Sequence, residues 1–224
     1  MRVSRRYTEP YDEGSVQNIM EATGVNRLIA RLLVARGRNT VDLANEFLYD
    51  TSLSDPFAFH DMEKAVRIIR TAIKEEKPIL VYGDYDCDGI CAAALLVGCL
   101  QRMGAKVEVY IPNRETEGYG LHISAIGDIA KRASLLITVD CGISANEEIA
   151  HAKELGMQVI LTDHHMPPEI LPDADAILCA KVQCPPRAEH LCGCGMAFKL
   201  ACALEMCIRD RCKTCHKKDL LYCR

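Results

Sequence analysis

The sequence has few of the features that would assign it to a special class of protein. Its longest apolar run, the eleven residues from Ile90 to Leu100, is too short for a membrane span, which needs roughly eighteen or more. The 14 glycines and 9 prolines are close to average usage for 224 residues, so collagen-like and low-complexity chains are excluded. The basic start, MRVSRRY, is not followed by the apolar segment of a secretory signal, and we therefore expect a cytoplasmic protein.

The composition that is present is that of an ordinary globular protein, with 49% hydrophobic and 26% charged residues. The net charge is −4, and a mildly acidic chain gives no overall attraction to nucleic acid. Any such partner must therefore be held by a local surface. The thirteen cysteines would suggest a disulfide scaffold only in a small secreted chain, so we expect reduced thiols. Among them, Cys87, Cys91 and Cys99 lie in or beside an apolar segment and are expected to pack in the core.

The hydrophobic pattern predicts an α/β protein with an N-terminal helical cap. Apolar residues recur at three- and four-residue spacing over residues 15–49 and again over residues 62–74, which predicts helices. From residue 78 onward, apolar runs of strand length alternate with helical segments. The predicted strands are residues 79–82, 107–111, 135–139 and 158–162, and the helix after the first strand is predicted at residues 90–103. This alternation predicts a parallel sheet flanked by helices, with right-handed crossovers.

Acidic and histidine side chains follow three of the predicted strands. They are Asp84, Asp86 and Asp88 after the first strand, Asp140 after the third, and Asp163, His164 and His165 after the fourth. Open parallel sheets bind ligands at the carboxyl ends of their strands, where these side chains would gather. Like charges packed there repel unless a cation neutralises them, so the pattern favours a metal site. The alternative is that the individual aspartates only form turns or cap helices.

The residue types favour Mn²⁺ or Mg²⁺, because the group offers carboxylates and imidazoles but no thiolate. A calcium-binding EF-hand loop is excluded: residues 84–89 match its first half, but Leu95 stands where the twelfth-position glutamate is required. Two ions that share one carboxylate can clamp the attacking and leaving oxygens of a phosphoester. Asp140, alone at the end of a central strand, is the expected bridge.

A glycine-containing loop, PNRETEGYG, follows the second predicted strand. Gly118 and Gly120 flank Tyr119, so the backbone could approach a phosphate while the tyrosine offers a stacking face. Arg114 supplies a forked donor for the same group. The alternative is a solvated glycine turn with a surface arginine.

With GDYDCDG, PNRETEGYG, TVDCGI and TDHH in this order, the chain resembles the DHH phosphoesterase superfamily and, within it, the RecJ single-strand-specific exonucleases. The similarity spans roughly residues 28–204, and the EGYGL loop favours RecJ over other members. The resemblance implies an enzyme that uses Mn²⁺ or Mg²⁺, in two sites, to degrade single-stranded DNA from its 5′ end in repair and recombination. It also implies a helicase or a single-strand-binding protein as partner. Because no membrane span is readable, we expect no association with a membrane.

The resemblance also implies roles for individual residues. Asp86 and Asp88 match paired metal ligands, Asp84 an accessory acid, Asp140 the bridging ligand and His164 a further ligand. His165 would contact phosphate or stabilise the leaving group, and a water activated by the ions would be the nucleophile. Arg114 and the loop Gly118–Tyr119–Gly120 would lie near the substrate phosphates.

Several family features are absent from the sequence. Cys179-Ala180 stands where relatives usually carry Asn-Pro, and the fourth acidic motif, expected after a helix such as residues 196–205, does not appear. The family's second domain is also missing. We therefore expect the N-terminal part of such an enzyme, with weak or no activity alone: a cap and connection at residues 1–60, a catalytic α/β domain at 61–206, and a tail at 207–224.

The tail is cysteine-rich and basic, and we expect it to be irregular. One hypothesis is a small zinc module; its candidate ligands are Cys207, Cys212, Cys215, His216 and Cys223. The hypothesis that we favour is that the natural sequence ends near Glu205 and that MCIRDR begins translated library-adaptor sequence. Two alternative functions remain: another DHH phosphodiesterase, acting on short oligonucleotides or cyclic dinucleotides, and a non-catalytic zinc-binding or interaction fragment.

Overall fold

The computed structural model describes residues 12–50, 53–183, 185 and 188–212, without the side chains of 208–212. The chain divides into two compact units, Met1–Leu53 and Ser54–Arg224. Residues 54–60, which were predicted together with the cap, belong to the second unit. Within the described residues, no helix is both long and apolar enough to cross a membrane.

The first unit is the helical cap predicted from the sequence. It contains α1 (Glu13–Thr23), α2 (Arg27–Ala35) and α3 (Val41–Tyr49). Each helix begins at a residue whose side chain accepts backbone N–H groups of the first turn, namely Asp12, Asn26 and Thr40. The three helices bury a small core of Val16, Ile19, Ala30, Leu33 and Ala44.

The second unit is the predicted α/β domain. Its helices are α4 (Met62–Lys74), α5 (Cys87–Arg102), α6 (Ile123–Ile129), α7 (Asn146–Glu154) and α8 (Gly193–Cys212), with short 3-10 helices at Pro56–Ala58 and Ala188–His190. Its strands are β1 (Ile79–Gly83), β2 (Val107–Tyr110), β3 (Leu135–Val139), β4 (Gln158–Asp163) and β5 (Ala176–Cys179). The strands pair in parallel in the order β2-β1-β3-β4-β5, which confirms the fold class.

Both faces of the sheet are buried because its central strands are apolar at nearly every position. Leu80 and Leu136 point into one core with α6 and α7, whereas Val81 and Ile137 point into the other with α4, α5 and α8. The side chains alternate between the two faces, as the strand period of two requires. This arrangement places β3 in the middle of the sheet, with β1 and β4 beside it.

Two helix boundaries differ from the prediction. Helix α5 begins at Cys87 rather than Ile90, because the Asp86 carboxylate accepts the Gly89 N–H at 3.0 Å and caps a polar first turn that carries no hydrophobic signal. The tail is not irregular at its start: α8 continues to Cys212, since no Gly or Pro interrupts residues 206–212. Residues 213–224, which hold the other candidate zinc ligands, lie outside the described residues.

The cysteines near α5 follow the packing prediction only in part. Cys99 is buried, as expected, but Cys87 and Cys91 are exposed, so the prediction was wrong for these two. They lie one turn apart at the polar start of the helix, before its buried stretch begins. Among the cysteines whose side chains the structure describes, the free thiols include Cys87, Cys91, Cys99, Cys141, Cys192, Cys194, Cys202 and Cys207.

We expect Asp61→Ala to lower the free energy of unfolding by about 1–3 kcal/mol, because it leaves a part-buried donor without its partner. The Asp61 carboxylate accepts the Ile177 N–H at 2.9 Å and thereby joins the start of α4 to β5. Urea unfolding measures the change. Asp128→Ala is the control, because Asp128 is exposed and pairs with an exposed lysine; equal stability of the two variants would contradict the assignment.

Candidate metal centre

The acidic and histidine motifs meet at one edge of the sheet. Asp84 directly follows β1, Asp140 directly follows β3, and Asp163 is the last residue of β4. Because β1, β3 and β4 are adjacent parallel strands, their carboxyl ends bring these three segments together. The gathering predicted from the sequence is therefore present in the structure.

Two sets of potential ligand atoms share Asp140. Oxygens of Asp84, Asp86 and Asp140 lie within 4.8 Å of one another, and so do ligand atoms of Asp140, His164 and His165. Among the described residues, these are the two clusters of side chains that could hold a metal ion. Asp140 thus stands between a carboxylate group and an imidazole group.

Asp140 is held in an unusual backbone conformation, with φ = 62° in the left-handed region. Aspartate tolerates this region better than most residues. Its N–H donates to the Thr162 carbonyl at 3.0 Å, and the residue is 1% exposed. The backbone therefore turns at the end of β3 while the carboxylate stays at the buried edge.

Glycine is required beside this carboxylate. A Cβ at Gly193, the first residue of α8, would lie 2.3 Å from Oδ1 and 2.5 Å from Cβ of Asp140. The missing side chain lets the start of α8 pack directly on Asp140. This contact explains sterically why the first glycine of the LCGCG segment, Gly193, carries no side chain.

The electrostatics of the edge favour a bound cation. Burial, followed by the negative charges of Asp88 and Asp86, raises the pKa of Asp140 to about 7. Burial is also the main cause that raises the pKa of Asp84. Among the described residues, Oδ1 of Asp84 and Oδ1 of Asp140 are buried without a hydrogen-bond partner. A divalent cation would pair both oxygens and relieve the repulsion, so the residues present fit a metal site.

Asp88 lies beside the two groups but belongs to neither. Its two carboxylate oxygens accept the Gly193 and Cys194 N–H groups, each at 2.7 Å, at the start of α8. Burial acts to raise the pKa of Asp88, but hydrogen bonds from Cys194, Cys192 and Gly193 lower it overall. Oδ2 lies 3.7 Å from Nε2 of His164. Each oxygen keeps a second lone pair, so the role as a ligand stays a prediction.

Asp163, which the sequence placed only among the acids at this edge, organises the histidine pair. This carboxylate is 1% exposed. Its Oδ2 accepts the Ile143 N–H at 2.9 Å, and its Oδ1 accepts the His164 N–H at 2.7 Å. Oδ1 also lies 2.7 Å from Nδ1 of His165. In the sequence, Asp163 could be recognised only by its position at the end of an apolar strand. That position is equally compatible with a residue that forms a turn.

The two histidines occupy different positions. Nε2 of His164 lies 3.1 Å from Oδ1 of Asp140, outside hydrogen-bonding geometry. The ring of His165 is fixed at Nδ1 by Asp163, which leaves Nε2 facing away from that contact. Burial acts to lower the pKa of His165, but the hydrogen bond and charge of Asp163 raise it overall. His165 is therefore suited to carry a proton.

The predicted substrate loop forms a rim of the centre. The hydroxyl oxygen of Tyr119 lies 3.3 Å from Nδ1 of His165, and the rings meet edge to face. Gly118 and Gly120 both have positive φ, and Tyr82 donates to the Gly120 carbonyl at 2.9 Å. Arg114 lies over the ring of Tyr85, beside the first acidic motif. The loop thus reaches the histidines through Tyr119 and the first acidic motif through Arg114.

Residues 78–222 match the family model described as "DHH family, N-terminal domain". The chain belongs to the DHH family. It is 43% identical over 197 residues to the single-stranded-DNA-specific exonuclease RecJ of Bacillus subtilis, a match that covers 86% of this chain and 25% of that protein. A crystal structure of exonuclease RecJ bound to manganese matches 67% of this chain and 38% of its own, at 35% identity and TM-score 0.63. The structure of RecJ in complex with Mn²⁺ from Thermus thermophilus matches 88% of this chain and 28% of its own, at 27% identity and TM-score 0.69.

These matches confirm the resemblance to RecJ that the motifs indicated. The chain spans about a third or less of the length of the curated relatives that it matches. The DHH-family match begins at residue 78, just before β1, and includes every element that delivers a residue to the centre.

We expect Gly193→Ala to lower the free energy of unfolding of this DHH-family chain by about 1–3 kcal/mol. The new Cβ would clash with the buried side chain of Asp140. Gly127→Ala is the matched control, since a Cβ at that helical glycine meets nothing within 4 Å. Urea unfolding of both variants is the measurement. Two equally stable variants would show that α8 does not pack against Asp140.

We expect the chelator-treated protein to lose stability as the pH rises from about 4 to 7. The pKa of Asp140 is raised to about 7 from 3.8, so in this window the folded protein keeps a proton that the unfolded chain has released. Asp140→Asn cannot titrate and should lack this part of the pH dependence. The comparison is urea unfolding of both proteins across the window; parallel profiles would contradict the raised pKa.

Proposed function

We propose that this chain carries the metal-binding part of a phosphodiester hydrolase that degrades single-stranded DNA from its 5′ end, in DNA repair and recombination. The observation that carries the proposal is the position of Asp140, one buried carboxylate shared by an acidic group and an imidazole group. A shared carboxylate of this kind suits two divalent cations about 3.5–4 Å apart.

The relatives support the substrate and the ions. RecJ of Bacillus subtilis is named as a single-stranded-DNA-specific exonuclease, and RecJ of Thermus thermophilus has been crystallised in complex with Mn²⁺. The oxygen and imidazole donors of this chain are those that Mn²⁺ and Mg²⁺ accept. We therefore assign Mn²⁺ or Mg²⁺ as the cofactor and single-stranded DNA as the substrate.

The donor set divides between the two ions. Asp84, Asp86 and Asp140 would hold one, and Asp140 with His164 the other. Asp88, in the first turn of α5, would join them. When bound, the ions supply Lewis-acid activation of a water molecule and neutralise charge on the scissile phosphate. The protein's own part is to hold these carboxylates close together and facing one point, where bound cations would stabilise their ionised form.

His165 is placed to act on the substrate itself. Asp163 fixes Nδ1 and favours the protonated ring, so Nε2 can donate to a phosphate oxygen or to the leaving oxygen. The Tyr119 hydroxyl lies 3.3 Å from the same Nδ1 and leaves Nε2 open. Arg114 and the open backbone of Gly118 and Gly120 then contact the neighbouring phosphates.

We further propose that the chain alone hydrolyses DNA weakly, because it spans only about a third or less of the length of the relatives that it matches. A helicase or a single-strand-binding protein is the expected partner of the whole enzyme. The free thiols of the described cysteines agree with a reducing compartment, and we assign the protein to the cytoplasm.

We expect Asp140→Asn to weaken Mn²⁺ binding at least tenfold and to lower residual hydrolysis by orders of magnitude, because both ions lose a shared charged ligand. Calorimetric titration with Mn²⁺ measures the first effect. Release of nucleotides from 5′-phosphorylated single-stranded DNA measures the second. Asp173→Asn is the matched control, since Asp173 is exposed, lies before β5 and pairs only weakly with Lys153.

The same assay separates the alternatives. Faster cleavage of dinucleotides or cyclic dinucleotides than of long strands would favour another DHH phosphodiesterase. A response to Zn²⁺ without any response to Mn²⁺ would favour a non-catalytic zinc-binding fragment. Unchanged Mn²⁺ affinity in Asp140→Asn would overturn the proposed centre.

A further inference from the structure

A second candidate binding surface lies away from the metal centre. It is a groove of about 560 Å³ between α4, the 3-10 helix at Pro56–Ala58 and the C-terminal half of α8. Its wall includes Arg67, Arg70 and Lys74 from α4, Phe57 from the 3-10 helix, and Cys207 from α8. All of these residues belong to the second unit of the chain.

The groove is positively charged. Arg67, Arg70 and Lys74 are spaced three and four residues apart, so they share one face of α4 and form a row about 10 Å long. None of the three has an ion pair among the described residues, and Glu63 is the acid that lines the same groove. The chain carries a net charge of −4, so this row is a local exception to its overall charge.

The groove is too far from the metal centre to be part of it. Helix α8 begins at Gly193, whose N–H binds Asp88 in the centre. Cys207 lies fourteen residues further along this helix, which corresponds to about 21 Å. A ligand bound in the groove would therefore be separate from the atoms at Asp140.

Hydrogen bonds hold the walls of the groove in place. Nζ of the buried Lys199 donates to the Ser54 carbonyl at 2.7 Å and fixes the segment before Phe57 to α8. Asp61 accepts the Ile177 N–H and fixes the start of α4 to β5. The helix that carries the three basic side chains is therefore held in place by hydrogen bonds to neighbouring elements.

We propose that this groove binds phosphate groups along the backbone of a single-stranded nucleic acid and anchors the strand at a distance from the metal centre. The row of cations matches a chain of phosphates better than a single ion. The Phe57 ring offers a face to a base, and such contacts do not depend on base sequence. The single-stranded character of the ligand rests on the proposed function, whereas the affinity for phosphate rests on the groove alone.

The test measures binding without the metal centre. A fluorescent single-stranded oligonucleotide is titrated with the full chain in chelator, and anisotropy is followed at several salt concentrations. Replacing Arg67, Arg70 and Lys74 together by Gln should weaken binding at least tenfold. It should also reduce the slope of log affinity against log salt by about two, since each phosphate contact contributes roughly 0.7.

Variants on the same helix serve as controls. Lys64→Gln removes an exposed charge of α4 that does not line the groove and should leave affinity nearly unchanged. Glu63→Gln removes the acid in the groove and should tighten binding, whereas Lys74→Gln should weaken it. Because these are single surface changes, the opposite directions of the last two test the groove even if the triple variant does not fold.

Competitors identify the source of the phosphate. An unlabelled strand should displace the probe, whereas inorganic phosphate and a dinucleotide at the same phosphate concentration should do so poorly. Full displacement by inorganic phosphate, no binding by the wild-type chain, or equal affinity and salt slope in the triple variant would each overturn the inference. The triple variant should keep the Mn²⁺ affinity of the wild-type chain in calorimetric titration, because its three substitutions lie away from the metal centre, so failure of the metal centre and failure of the groove are distinguishable.

Discussion

The structure depends on one electrostatic constraint: several carboxylates must stay close together at a buried edge. Asp140 is nearly inaccessible to solvent, and Asp84, Asp86 and Asp88 surround it from the preceding strand and helix. Without a cation, burial and mutual repulsion favour a proton on Asp140. A bound divalent cation would offset this repulsion and stabilise the ionised carboxylate.

The backbone around this edge is arranged to keep the carboxylates in position. The left-handed turn at Asp140, the absence of a side chain at Gly193 and the two amides that bind Asp88 all serve this arrangement. Helix α8 contributes through its first turn, where free N–H groups favour a negative charge. Asp163 has a comparable role for the histidines, because one carboxylate fixes both backbone and ring. Asp163, which positions the histidines, and Asp140, which is a proposed ligand, are therefore different carboxylates at the ends of neighbouring strands.

Much of the fold could be predicted because apolar strands and amphipathic helices have different periods. The same periods identified the edge at which Asp84, Asp140 and His164 meet. The start of α5 was missed because Asp86 caps a polar turn, and the exposure of Cys87 and Cys91 was missed with it. The role of Asp163 and the contact between Gly193 and Asp140 depend on packing between distant segments. No local pattern in the sequence encodes those contacts.

The central claim is that Asp140 is shared by two divalent cations. The most direct measurement is the anomalous scattering of crystals of this chain grown or soaked with Mn²⁺. The account predicts two peaks about 3.5–4 Å apart, both within bonding distance of the Asp140 carboxylate, one toward Asp84 and Asp86 and one toward His164. Well-ordered crystals at saturating Mn²⁺ that show no peak at Asp140, or peaks only elsewhere, would contradict it.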